Sequence, residues 1–123
     1  MNRSFVQLES RVERSRAEES LTDEPRWILI RRGEELPLLM PAVDLARALQ
    51  DHPDATELDL LALPADRLAT AAVDFRSSLQ EAQESLQRTG AEALYVTRAT
   101  VPGLPRVDGV LTREDILSGY RWR

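Results

Sequence analysis

The chain has 123 residues, 42% of them hydrophobic and 30% charged, enough for one domain with a sizeable core. Its 21 acidic residues outnumber 16 basic ones, and the net charge of −5 argues against nucleic-acid binding by phosphate neutralisation. Every basic residue is Arg, Cys is absent and the one His is His52. Schiff-base lysines, thiolate catalysis, disulfides, Cys-based zinc sites and multi-His metal sites are therefore excluded.

The longest apolar runs, residues 27–30 and 36–43, fall short of the ~20 residues of a spanning helix. Residues 1–5 lack the apolar stretch of a signal peptide. The expectation is a soluble chain with no membrane insertion of its own.

Residues 5–8 alternate and predict a short strand. Ser15 and Glu18 have capping-box spacing, and Ala17 and Leu21 share a face, predicting a helix over 16–21 that Pro25 ends. The apolar runs 27–30 and 36–40 flank a Gly33 turn and predict a hairpin. Pro41 suits the first turn of a helix whose apolar face is Val43, Leu45, Ala46 and Leu49. Residues 51–57 are polar and helix-breaking, hence a loop; 58–63 and 68–73 read as strands.

Farther on, Ser78 and Glu81 form a second capping-box pair ahead of Leu79, Ala82 and Leu86, with Gly90 as terminator. Residues 93–97 predict a strand and 99–105, with two prolines and a glycine, a loop. Residues 107–111 predict the returning strand. Thr112 to Asp115 opens a last helix, with Gly119 near its end. The order after Ser15, helix, strand, turn, strand, helix, recurs after Ser78. The chain thus reads as two copies of one unit about 60–70 residues apart. Neither copy can bury its sheet alone, so the two are expected to pack into one domain.

The second copy resembles the CBS family in Ser78-Leu79-Gln80-Glu81-Ala82, in Ala93-Leu94-Tyr95-Val96, and in Gly109-Val110-Leu111-Thr112-Arg113-Glu114-Asp115-Ile116. The last run matches the family's Gly, two apolar residues, Thr or Ser, then Asp three on. The first copy is degenerate. Residues 27–30 and 42–45 fit, but Leu38 and Pro41 stand where Gly and Thr belong. The resemblance implies an α/β (α+β) fold: a tandem CBS pair, or Bateman module, of two β-α-β-β-α units packed through small mixed sheets. It divides the chain into a degenerate first CBS motif (1–52), a linker (53–67) and a second CBS motif (68–123). Residues 24–30, 44–47 and 90–96 are similar to the cytosolic tail of bacterial CLC chloride-channel proteins. That implies a chloride-transport domain as parent and partner, a homodimer, and a location at the cytoplasmic face of the membrane.

In the CBS family the Asp of the motif binds ribose hydroxyls, while the Thr and the helix start face phosphates. The resemblance thus assigns Thr112, Asp115 and Arg113 to an adenine nucleotide such as ATP, ADP or AMP. Val73 and Val107 would line the adenine. Read from the residues alone, Thr112 and Asp115 are equally a capping box, and Val73 and Val107 ordinary strand residues. Asp44 in the first copy lacks the partnering hydroxyl. Trp27 and Tyr95 hold matching places in the two copies, as core residues or dimer anchors. His52 lies in a polar loop without partners, and the carboxylate pairs 18–19, 34–35 and 114–115 read as solvated faces. Two functions stay open: a regulatory module, CLC-linked or a stand-alone nucleotide sensor, and a structural dimerisation domain that binds nothing. An enzyme is not expected, since no catalytic constellation appears.

Overall fold

A computed structural model describes residues 3–101 and 104–117. The chain divides into two compact units, residues 4–67 and residues 68 onward, the latter taking in Arg3.

The first unit runs β1 (Phe5–Glu9), β2 (Arg11–Glu13), α1 (Arg14–Ser20), β3 (Trp27–Arg32), β4 (Glu35–Pro41), α2 (Ala42–Asp51) and β5 (Glu57–Asp59). β1 pairs parallel with β3, which requires a crossover, and α1 lies within it. β3 and β4 form the expected hairpin, in register from Trp27 opposite Pro41 to Ile30 opposite Leu38, with a shift before Arg32 opposite Glu35. Gly33 takes φ 67° at its turn, a conformation side chains with a Cβ resist. Ile28 and Ile30 of β3 and Met40 of β4 share a core with Ala42, Leu45, Ala48 and Leu49 of α2.

Several expectations shift here. Helix α1 begins at Arg14, not Arg16, and Ser15 is not its cap. The cause is distant. β2 pairs antiparallel with β5, which holds Glu13 extended as N-cap, and the Arg14 N–H donates to the Thr56 carbonyl. Helix α2 starts at Ala42, so Pro41 closes β4 and occupies the N-cap. Val43 is 60% exposed; the buried face is Ala42, Leu45, Ala48 and Leu49. Within residues 53–67, Leu58, Leu60 and Leu63 are buried in the first unit's core. Of the expected 58–63 strand only Leu58 and Asp59 are extended, within β5.

One side chain clasps this unit. The Arg14 guanidinium donates to the carbonyls of Leu49 (2.9 Å), His52 (2.7 Å) and Ala55 (3.3 Å), and its Nε lies 3.1 Å from Glu18 Oε1. It thus satisfies carbonyls at the C-terminal end of α2, where a cation is also favoured by the helix dipole.

The second unit runs β6 (Leu68–Asp74), α3 (Leu79–Thr89), β7 (Ala93–Val101), β8 (Leu104–Thr112) and α4 (Arg113–Leu117). Its plan repeats the first: β6 parallel to β7, then β7 antiparallel to β8. Helix α3 carries the predicted capping box. Ser78 Oγ accepts from the Glu81 N–H at 3.1 Å and the Ser78 N–H reaches Glu81 Oε1 at 3.4 Å. Gly90 ends the helix at φ 72°, its N–H on the Leu86 carbonyl. Ala82 and Leu86 pack on Ala71, Val73, Leu94, Val96, Leu111 and Ile116. The expected loop at 99–105 is mostly strand, because β7 and β8 continue pairing to Val101 and Leu104. Gly119 lies outside the described residues.

Among the described residues no helix is long and apolar enough to cross a membrane.

Candidate functional site

The start of α4 brings Thr112 and Asp115 together. The Thr112 N–H donates to Asp115 Oδ2 at 3.1 Å, and the Asp115 N–H donates to Thr112 Oγ1 at 3.2 Å. The two side chains therefore serve each other's backbone, a reciprocal cap of about 1 kcal/mol. Both are half-buried, and Arg113 between them is exposed. The Thr112 hydroxyl accepts in this cap and still carries a proton to donate. A carboxylate such as Asp115 has about four lone-pair positions. The corner therefore has the chemistry to hold a hydroxyl or phosphate oxygen while remaining capped.

The other two sequence candidates lie elsewhere on the sheet. Thr112 pairs with Ala93, whereas Val107 pairs with Thr97 and Val73 with Val96. Val107 is thus five residues along β8 from Thr112, about 16 Å of strand. Val73 is buried in the α3 core, so its side chain is committed there.

The equivalent corner in the first unit is different. Pro41 supplies neither a hydroxyl nor an N–H, and Asp44 instead accepts from Arg47 Nη1 at 3.3 Å. The register also corrects the matching of aromatic residues. Trp27 pairs with the residue before α2 as Ala93 pairs with the residue before α4, so Tyr95 corresponds to Leu29. The Trp27 Nε1 is buried with no hydrogen-bond partner, and Arg26 lies 5.9 Å from its ring centre. Burial pushes the Tyr95 hydroxyl pKa above its ordinary 10.0. His52 is exposed at the end of α2, where its carbonyl receives Arg14.

Sequence reasoning passed over Asp108. The β7–β8 register slips there, Val96 facing Gly109 and Thr97 facing Val107, so Asp108 is the extra residue of a β-bulge. Arg98, Arg106 and Arg3 surround it. The available signal was Arg98 and Arg106 on either side of Pro102 and Gly103 in the sequence, meaningful only once the strand register is known.

No family model matches the chain, and no curated protein sequence does. Among the solved structures similar to it are two CBS-domain containing proteins. One is a CBS domain-containing protein of unknown function from Kribbella flavida DSM 17836, 15% identical, covering 94% of this chain and 92% of that one, TM-score 0.54. Another is a CBS-domain containing protein from Agrobacterium tumefaciens, 15% identical, covering 94% and 84%, TM-score 0.44. With its repeated strand-helix-hairpin-helix plan, the chain has the mixed α+β fold found in the Kribbella CBS domain-containing protein.

Proposed function

We propose that this chain is a regulatory CBS-pair module that binds one adenine nucleotide at the start of α4 and catalyses no reaction. The reciprocal Thr112–Asp115 arrangement carries the reading. Asp115 takes the ribose hydroxyls, and Thr112 with Arg113 takes the phosphates. The first unit, with Pro41 in place of the hydroxyl, contributes no second nucleotide site. The resemblance of residues 24–30, 44–47 and 90–96 to CLC tails supports a chloride-transport parent at the cytoplasmic face of a membrane. The module, as a homodimer, would bias gating by binding nucleotide more tightly in one state of the transporter.

Calorimetric titration with ATP, ADP, AMP and adenosine tests this. Binding should occur and be lost in Asp115→Ala, while Ser78→Ala, which loses a cap elsewhere, keeps it. Silence with all four ligands at millimolar concentration refutes the nucleotide reading. A second reading, a dimerisation domain that binds no ligand, is favoured by the way Thr112 and Asp115 satisfy each other. It predicts that silence together with a dimer in light scattering. For the parent, an upstream coding sequence without hydrophobic spans would replace the CLC assignment with a stand-alone nucleotide sensor.

A further inference from the structure

We infer that the turn-side half of the β7–β8 hairpin is a phosphate-binding corner, built from Arg98, Arg106 and Arg3 around Asp108. It does not rest on the nucleotide reading above. Arg98 and Arg106 are direct cross-strand partners, and like charges placed so repel. The bulge re-aims Asp108 between them. Its side chain is only 10% exposed; Oδ2 accepts from Arg98 Nη2 at 3.2 Å, and Arg106 Nη2 and Arg3 Nη2 stand at 3.6 and 3.8 Å. Three guanidiniums thus share one carboxylate, leaving an excess of two positive charges in a chain whose total is −5.

Donors are in surplus too. Each guanidinium has five N–H groups, and one carboxylate cannot occupy them. Arg98 lies 4.2 Å from the Phe75 ring centre, which fixes its plane. Its Nε is buried without a partner, so the group is partly desolvated and pulls harder on an anion. Arg106 and Arg3 remain 67% and 64% exposed and can close over a ligand. Arg76, over the same Phe75 ring, is balanced by Asp74 and adds no excess. A phosphate monoester, of charge about −1.5 to −2, matches this excess and accepts guanidinium forks in pairs. The row from Thr97 to Val107 is about 16 Å of strand from Thr112, so the two corners are separate.

The test is calorimetry on the full chain with glycerol 3-phosphate, a soluble phosphate monoester, at low and at physiological salt. Sedimentation with phosphatidylcholine vesicles, with and without phosphatidic acid, runs beside it. Binding of soluble glycerol 3-phosphate identifies a free phosphate ligand; sedimentation only with phosphatidic acid identifies a lipid headgroup. In either case Arg98→Gln/Arg106→Gln should weaken binding about tenfold or more. The exposed single variant Arg106→Gln reports the same direction should the double variant fail to fold. Arg88→Gln, a charge loss on the exposed side of α3, should bind unchanged. The proposal is overturned if neither probe binds, if chloride competes equally, if Arg106→Gln has no effect, or if Arg88→Gln weakens binding as much as Arg106→Gln does.

Discussion

Helices α2 and α4 occupy equivalent places, each following the antiparallel strand of its own unit, yet they begin by different means. At α4, Thr112 and Asp115 exchange two hydrogen bonds across the first turn. At α2, Pro41 stands in the N-cap with no side-chain hydrogen bond, and Asp44 turns to Arg47. Helix α2 compensates in its packing: Ala42, Leu45, Ala48 and Leu49 are buried in sequence along its face, and Arg14 closes its far end. A helix start can thus be fixed by local polar chemistry or left to tertiary burial, and only the first leaves groups suited to a ligand.

That contrast can be broken in graded steps. Leu45→Ala, fully buried on the uncapped helix, should lower stability in chemical denaturation by about 2–5 kcal/mol. A loss below about 1 kcal/mol would show that α2 does not depend on its face. Arg14→Ala should cost about 2 kcal/mol, and Arg14→Lys should recover little of it, because an ammonium cannot span three carbonyls.

Thr112→Ala should cost about 1 kcal/mol, and the Asp115 amide should exchange faster with solvent. The reverse change, Pro41→Thr, gains a cap of about 1 kcal/mol but loses about 0.4–1 kcal/mol of proline restriction on the unfolded chain. Its net effect should be near zero, with the Asp44 amide newly protected. Absence of that protection would mean the units differ by more than one residue.

The smallest effect concerns Tyr95, whose first-unit counterpart is the non-titrating Leu29. Because burial raises the tyrosine pKa, the folded chain keeps this proton after the unfolded chain has lost it. Stability is intact below pH 10.0 and falls as pH rises through the folded value. Tyr95→Phe should remove that slope in alkaline denaturation.

What the sequence made legible was local. The Ser78–Glu81 box, the Gly90 terminator, the β3–β4 hairpin and the Thr112–Asp115 pair each involve residues close in the chain. They appear where expected. What it hid was long-range. Ser15 has cap spacing, yet pairing of β2 with β5, over forty residues on, moves the helix start. Val43 looks as apolar as Leu45, but helix rotation against the sheet exposes it. The Asp108 bulge follows from cross-strand register, which no single strand specifies.

The Arg14 clasp also has a kinetic meaning. Its carbonyl partners lie 35 to 41 residues downstream, so it cannot close until the β3–β4 hairpin and α2 are in place. Contacts of such sequence separation carry a loop-closure cost, and a clasp that bridges elements already in place adds little to the barrier that forms them. Losing the clasp should therefore leave the rate of folding almost unchanged and quicken unfolding. Arg14 then acts as a latch on the finished unit, setting how long it stays folded more than how fast it gets there.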